Sequence, residues 1–169
     1  MTRLRIAGRV DDSIVDGPGV RYALFTPGCP RACPGCHNPQ TQPLEGGEEA
    51  TVEAILAEID ANPLLDGVTF SGGEPFLQAA ALAELARELK KRGLHRAAYT
   101  GYLWEELIEA NDPAWNAFLA ELDVVVDGPF VQALRSWTLK FAGSTNQRFI
   151  DVPRSLSEGR AVEQESWRS

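Results

Sequence analysis

Gly28-Cys29-Pro30-Arg31-Ala32-Cys33-Pro34-Gly35-Cys36-His37-Asn38-Pro39 holds every cysteine of this chain. The spacing is Cys-x-x-x-Cys-x-x-Cys, and the interleaved glycine and proline let such a segment wrap around an inorganic object without a helix or strand of its own. Three thiolates on one short loop can hold three corners of a four-iron cluster and leave the fourth iron open to a small ligand.

Other readings of the same thiols compete. A disulfide framework does not suit an odd number of cysteines in a chain without a secretory signal. Cys33-Pro34-Gly35-Cys36-His37 fits the haem-attachment pattern, but that pattern works in exported proteins, and Met1-Thr2-Arg3-Leu4-Arg5 lacks the apolar stretch that export needs. A redox pair of Cys33 and Cys36 leaves Cys29 unused. A structural zinc site built from the three cysteines and His37 is the main rival, and the loop alone leaves cluster and zinc both open.

Working outward from the loop, 169 residues give one domain by length, expected over 1–156, with a polar, frayed tail over 157–169. With 44% hydrophobic and 24% charged residues the composition is that of an ordinary globular protein. The net charge of −8 argues against nucleic acid or an anionic membrane as a partner. There is no apolar run of membrane-spanning length and no targeting signal, so the expectation is a cytoplasmic protein whose thiols stay reduced.

Short apolar runs alternate with helical periodicity. Strands are expected over Val20–Pro27, Gly67–Ser71, Arg96–Thr100 and Asp123–Asp127, with a fifth over Arg148–Val152. Thr51–Ala61 reads as a helix capped by Thr51, with Val52, Ile55, Leu56 and Ile59 on its apolar face and Glu53 in the first turn. A second helix carries Leu77, Ala81, Leu85 and Leu89 on one face and stops at Lys90-Lys91-Arg92-Gly93. Leu103–Ala110 and Pro113–Leu122 are shorter helices, the latter with Trp115, Phe118, Leu119 and Leu122 on one face. This alternation implies an α/β fold with a mostly parallel sheet.

Each of the first four strands ends in a glycine-containing motif: Pro27-Gly28-Cys29, Ser71-Gly72-Gly73-Glu74-Pro75, Thr100-Gly101-Tyr102 and Asp127-Gly128-Pro129. In a parallel sheet those ends share the edge where such folds bind ligands. An open iron there can be chelated by the amine and carboxylate of an amino acid. S-adenosylmethionine offers both, with a sulfonium that a reduced cluster can split into a 5′-deoxyadenosyl radical. Backbone carbonyls at Gly72-Gly73 can accept from its ammonium, and Glu74 can add a charge-assisted acceptor. The competing account of Glu74 is a carboxylate at the start of the next helix. Arg21, Lys140 and Arg148 are candidates for the ligand carboxylate, each with a surface ion pair as its competing account. His37 either faces the cofactor or bonds to loop backbone.

These motifs also carry a resemblance. Asp16-Gly17-Pro18-Gly19-Val20-Arg21, Phe25-Thr26-Pro27-Gly28-Cys29, Cys33-Pro34-Gly35-Cys36-His37-Asn38 and Ser71-Gly72-Gly73-Glu74-Pro75 together resemble the radical S-adenosylmethionine activating enzymes. Thr100-Gly101-Tyr102, Val126-Asp127-Gly128-Pro129-Phe130-Val131 and Gly143-Ser144-Thr145-Asn146-Gln147-Arg148 narrow it to the anaerobic ribonucleoside-triphosphate reductase activating group. The resemblance runs from about Val15 to Asp151.

It implies that Cys29, Cys33 and Cys36 ligate one [4Fe-4S] cluster. It further implies that Gly35, Cys36 and His37 lie against S-adenosylmethionine, with Gly73 contacting it from the second strand, where Gly72 and Glu74 are the further candidates from the residues themselves. No catalytic side chain beyond the cluster and S-adenosylmethionine is implied. The implied activity makes a glycyl radical on a large anaerobic ribonucleoside-triphosphate reductase, with reduced flavodoxin or ferredoxin as electron donor. Two alternatives are a radical enzyme acting on a small molecule of the deazapurine-precursor type and a zinc-stabilised binding module. Gly35 stands where many members of the superfamily have an aromatic residue, which leaves open what packs on the adenine. Since a complete β/α barrel needs ~250 residues, the expected architecture is a truncated, open (β/α) partial barrel of the radical S-adenosylmethionine type. Its open side would admit a glycine loop from a macromolecular partner.

Overall fold

The structure is a computed structural model that describes residues 2–28, 47–137, 140–164 and 166–167. Its centre is a six-stranded sheet in the order β2 (Gly8–Ser13), β3 (Arg21–Thr26), β5 (Gly67–Gly72), β6 (His95–Tyr99), β7 (Val124–Asp127), β8 (Arg148–Asp151). The middle strands β3, β5, β6 and β7 run parallel, while β2 and β8 pair antiparallel at the two edges. A separate two-stranded sheet pairs β1 (Arg3–Ile6) with β4 (Glu48–Thr51). Among the described residues the large sheet does not close, in agreement with a partial barrel.

The helices all pack on one face. Helix α1 (Val52–Asp60) is capped as expected, with the Ala54 N–H donating to Thr51 Oγ1 at 3.1 Å, and it buries Val52, Ile55, Leu56 and Ile59. These residues meet Leu82, Leu85, Ala86 and Leu89 of α2 (Ala79–Lys91) over Tyr22, Leu24, Val68 and Phe70 of the sheet. Helices α3 (Trp104–Ala110), α4 (Pro113–Ala120) and α5 (Val152–Glu158) extend the same layer through Trp104, Leu107, Phe118 and Val152. Pro113 sits just inside α4 and the Asp112 carboxylate accepts from the N–H groups of Ala114 and Trp115, a complete N-terminal stop signal.

Three expectations need correction. Leu77 is not on the buried face of the second helix. It belongs to a 3₁₀ turn, Pro75–Gln78, and is 44% exposed. The α-helix begins only at Ala79, so Leu77 lies outside its periodicity, while Leu85 and Leu89 stay on the buried face. Strands β1, β2 and β4 are not among the expected ones: β2 and β4 are mostly polar and are defined by pairing rather than local propensity, and β1 is only four residues long, with Leu4 and Ile6 in the core. Finally, the tail does not fray throughout. The Asp151 N–H donates to the Val162 carbonyl at 2.8 Å, and the Gln164 N–H to the Phe149 carbonyl at 2.9 Å, so this segment lies along β8.

Trp167 is buried on the face opposite the helices, against Phe149, Phe141 and His95 and under the Arg21 guanidinium. One large aromatic in an otherwise polar run was enough to anchor it.

Candidate cluster and cofactor site

The parallel register brings the four glycine motifs to one edge, and hydrogen bonds lace them together. At the end of β3, the Thr26 carbonyl accepts from the Gly73 N–H at 2.8 Å and the Gly28 carbonyl from the Glu74 N–H at 2.6 Å. Glu74 is buried, and its carboxylate accepts from Thr100 Oγ1 at 2.9 Å, the Gly101 N–H at 2.8 Å and the Phe76 N–H at 3.2 Å. Thr100 in turn donates its N–H to the Val126 carbonyl at 3.0 Å, and Gly128 donates to the Tyr102 carbonyl at 2.9 Å. An unbroken series of contacts therefore runs from β3 to β7 across the edge.

Gly72 adopts φ +107°, and a Cβ there would sit 2.4 Å from the Thr26 nitrogen. Only glycine lets the second strand turn this close to the first.

The two motifs nearest the chain's end interlock. Gln147 Nε2 donates to the Gly128 carbonyl at 3.2 Å, and Asn146 Nδ2 to the Pro129 carbonyl at 2.8 Å. Ser144 Oγ accepts from the Val131 N–H at 3.2 Å, and Gln147 Oε1 from the Gly143 N–H at 2.9 Å. The Gly143–Arg148 segment is thus a clamp that holds the loop after β7. Asp127, fully buried, accepts from the Trp104 N–H at 2.8 Å and from Arg148.

Cys29, Cys33, Gly35, Cys36 and His37 lie outside the described residues. Gly28 and Gly47 flank the undescribed stretch and both are held, Gly28 by Glu74 and Gly47 by Arg5 Nη2, which donates to its carbonyl at 2.7 Å. Gly72 lines a cleft of about 690 Å³ together with Ser71, Thr100, Gly101 and Gly128. Glu74 spends its carboxylate on protein donors and caps the turn after β5, as the helix-start account requires.

The three basic candidates part company. Arg21 is buried at the beginning of β3, roughly 17 Å along the strand from the ligand edge at the usual rise per residue. There its guanidinium donates to Thr69 Oγ1 at 2.7 Å, to the Val68 carbonyl at 3.1 Å and to His95 Nδ1 at 2.9 Å. Burial pushes its pKa down to about 10, which leaves it charged. Arg148 is at the correct edge but paired with Asp127 at 2.5 Å and Glu105 at 2.7 Å, and the bond to Asp127 holds its pKa above the usual arginine value. Lys140 lines the cleft and makes no ion pair among the described residues.

Sequence reasoning missed Phe25 and Tyr99, which line the cleft because alternate residues of β3 and β6 face away from the helices. The Tyr99 hydroxyl donates to the Phe141 carbonyl at 2.6 Å, and burial keeps this phenol well above its ordinary pKa. That alternation was the available signal.

Residues 15–150 match the model of the 4Fe-4S single cluster domain family. The chain belongs to that family. A family built on one 4Fe-4S cluster implies such a cluster, rather than zinc, for this chain. The donor set fits the cluster: three thiols stand in one loop, and no group of three or more His, Cys, Asp or Glu side chains suited to a metal exists among the described residues. The loop also leaves the sheet at the edge where the glycine turns converge.

The chain is 36% identical over 156 residues to a pyruvate formate-lyase-activating enzyme of Staphylococcus epidermidis, covering 85% of this chain and 59% of that protein. It is 41% identical over 108 residues to the enzyme of that name from Clostridium pasteurianum, covering 59% of this chain and 45% of the relative. Against the Staphylococcus aureus protein of the same name the figures are 49% over 87 residues, 48% of this chain and 35% of the relative. The chain thus spans less than two thirds of the length of these relatives. The resemblance to glycyl-radical activating enzymes holds at family level, and these three are named for a formate-lyase rather than a reductase. Among the described residues no helix is long and apolar enough to cross a membrane.

Proposed function

We propose that this chain is a radical S-adenosylmethionine activating enzyme that generates a glycyl radical on a large glycyl-radical enzyme. The observation that carries the reading is the hydrogen bond between Glu74 and Gly28, which ties the start of the cysteine loop to the diglycine turn. In this reading Cys29, Cys33 and Cys36 hold the cluster. Gly35, Cys36 and His37 face S-adenosylmethionine from the loop, and Gly72 and Gly73 from the end of β5. Glu74 acts as a brace: it fixes Thr100 and Gly101 relative to the loop, so that the ligand edge keeps its shape. When bound, the cluster and S-adenosylmethionine supply, on one-electron reduction, the radical that takes hydrogen from a glycine. The half-buried, mostly apolar wall of Phe25 and Tyr99 limits water at that end of the cleft.

The target implied by the Gly143–Arg148 motif is the anaerobic ribonucleoside-triphosphate reductase, while the relatives' names point to pyruvate formate-lyase. Reduced flavodoxin or ferredoxin is the proposed electron donor. The test is anaerobic reconstitution with iron and sulfide, reduction, and addition of S-adenosylmethionine with each candidate target in turn. Formation of 5′-deoxyadenosine and a glycyl-radical resonance on one target is expected. A reconstituted, reduced protein that forms no 5′-deoxyadenosine would refute the reading.

A further inference from the structure

At the end of the sheet remote from the ligand edge, a buried cation meets a half-buried imidazole. Arg21 is 2% exposed and forms no ion pair among the described residues. Its guanidinium donates to Thr69 Oγ1, to the carbonyls of Pro18 and Val68, and to Nδ1 of His95 at 2.9 Å. A guanidinium carries only donors, so Nδ1 accepts and the imidazole is neutral, with its proton on Nε2. The carboxylates that act on this pair are engaged elsewhere. Asp123 pairs with Arg96 at 3.2 Å, Asp66 accepts from the Val20 N–H at 2.8 Å, and Asp16 accepts from the Ser13 hydroxyl. Tyr99 stays a neutral phenol, and Arg96 adds a second positive charge beside His95. A proton on Nδ1 would set donor against donor and cation against cation, with no carboxylate bonded between them.

Trp167 covers the pair. The Arg21 guanidinium lies 5.7 Å from its ring centre, and the imidazole centre is 6.0 Å away. On one side the indole packs against Phe141 and Phe149. On the other it abuts Gly17, where an added Cβ would lie 3.1 Å from Trp167 Cη2. One ring therefore touches the stretches that lead into β3 and into β8, on the two flanks of the open sheet. Asp16 and Ala142, beside those contacts, line the cleft together with Phe141. Arg21 and His95 belong to strands paired on both sides, whereas the segment carrying Trp167 bonds its backbone along one strand, β8, at Asp151–Val162 and Phe149–Gln164. Of the three side chains, the indole is the one free to leave.

We infer that His95, Arg21 and Trp167 form a proton-operated latch on the open sheet. With His95 neutral, the indole is seated and straps the two flanks together behind the cleft. When Nδ1 takes a proton from solvent, its bond from Arg21 Nη2 breaks and the guanidinium turns away from the imidazole. The indole then loses its support and is released, while the helical layer on the other face stays folded. The latch stands apart from the activating-enzyme reading: it acts on the backing of the cleft at Gly17 and Phe141, whatever the cleft holds.

The experiment uses the full chain, reconstituted anaerobically with iron and sulfide and labelled with 5-fluorotryptophan. Fluorine spectra are followed from about pH 8 to about pH 5, the span in which histidine changes its charge. Trp167 is assigned as the signal missing from Trp167→Phe. In the wild type that signal should move to the position of a solvent-exposed indole with a midpoint below about 6.5, while the buried Trp104 keeps its own. In His95→Asn, which can accept from Arg21 and does not titrate, the Trp167 signal should stay in place. At a fixed pH of about 5, the Gln164 amide should exchange with deuterium about tenfold faster or more in the wild type than in His95→Asn. A wild-type Trp167 signal that does not move, or that moves only together with Trp104 as the whole chain unfolds, overturns the inference. So does an equal shift, or equal Gln164 exchange, in His95→Asn.

Discussion

The Glu74 N–H donates to the Gly28 carbonyl at 2.6 Å, joining the residue before the first cysteine to the residue after the diglycine turn. The pairing sets where the metal-binding loop departs relative to the second strand. Because the Glu74 carboxylate simultaneously receives Thr100 and Gly101, one residue sets the spacing of three strand ends.

Glu74→Ala should therefore damage the fold as well as the site. It strands the Thr100 hydroxyl and the N–H groups of Gly101 and Phe76 in a buried setting, at ~3 kcal/mol or more. Glu74→Gln keeps one acceptor oxygen and should lose ~1–2 kcal/mol. Urea unfolding of the two variants checks the order. Equal stability of Glu74→Ala and wild type would contradict the bracing role.

Gly72→Ala should be costly for a different reason. Its φ of +107° and the 2.4 Å approach to the Thr26 nitrogen combine backbone strain with a clash against backbone. About 3 kcal/mol of destabilisation is expected. Gly93, also at positive φ (+71°) but with nothing within 4 Å of an added Cβ, serves as the control. Gly93→Ala should lose only ~1 kcal/mol in the same unfolding assay.

His95 should make stability fall in mildly acidic solution. Burial first, and then the Arg21 guanidinium it bonds, holds its pKa below the usual 6.5, with Arg96 adding to that repulsion, Asp123 opposing it and Trp167 covering the ring. The unfolded chain takes up a proton near the ordinary value while the folded chain does not. Stability is complete above about pH 6.5 and declines as pH falls toward the lowered value, by at most ~1.4 kcal/mol per pH unit. His95→Asn keeps an acceptor near Arg21 and does not titrate. Its unfolding free energy should change less between neutral and mildly acidic pH, and equal slopes would count against the buried neutral imidazole.

Cys36→Ala should leave only two thiols and lose the iron. Visible absorption and iron content after anaerobic reconstitution should collapse, and Cys29→Ala and Cys33→Ala should behave alike. Retention of about four irons per chain in any of the three would show that another donor replaces the thiolate.

Trp167→Ala should destabilise the protein by ~3 kcal/mol, since it removes a buried indole from contact with Phe149, Phe141 and Arg21. A change within about 0.5 kcal/mol, the usual range for an exposed position, would mean that Trp167 does not anchor the tail.

Local chemistry made much of this protein legible from its residues alone. The thiol spacing singled out a candidate donor set of three cysteines in one loop, and the family match supplied the cluster as its cofactor. Val52, Ile55, Leu56 and Ile59 repeat at the helical period because burial selects apolar side chains on one face, and the strand–glycine alternation announced a parallel sheet with a ligand edge. What escaped notice depends on partners distant in sequence. The cap that Glu74 gives to Phe76, two positions on, was legible in the sequence, but its bonds to Thr100 and Gly101, 26 and 27 positions away, were not, so nothing beside it could show that it braces a neighbouring strand. Arg21 and Arg148 were equivalent as residue types; strand direction sent one to the far end of the sheet and a buried Asp127 claimed the other. Side-chain type and period are properties of the segment, whereas which charge meets which partner is decided only when the strands are brought into register.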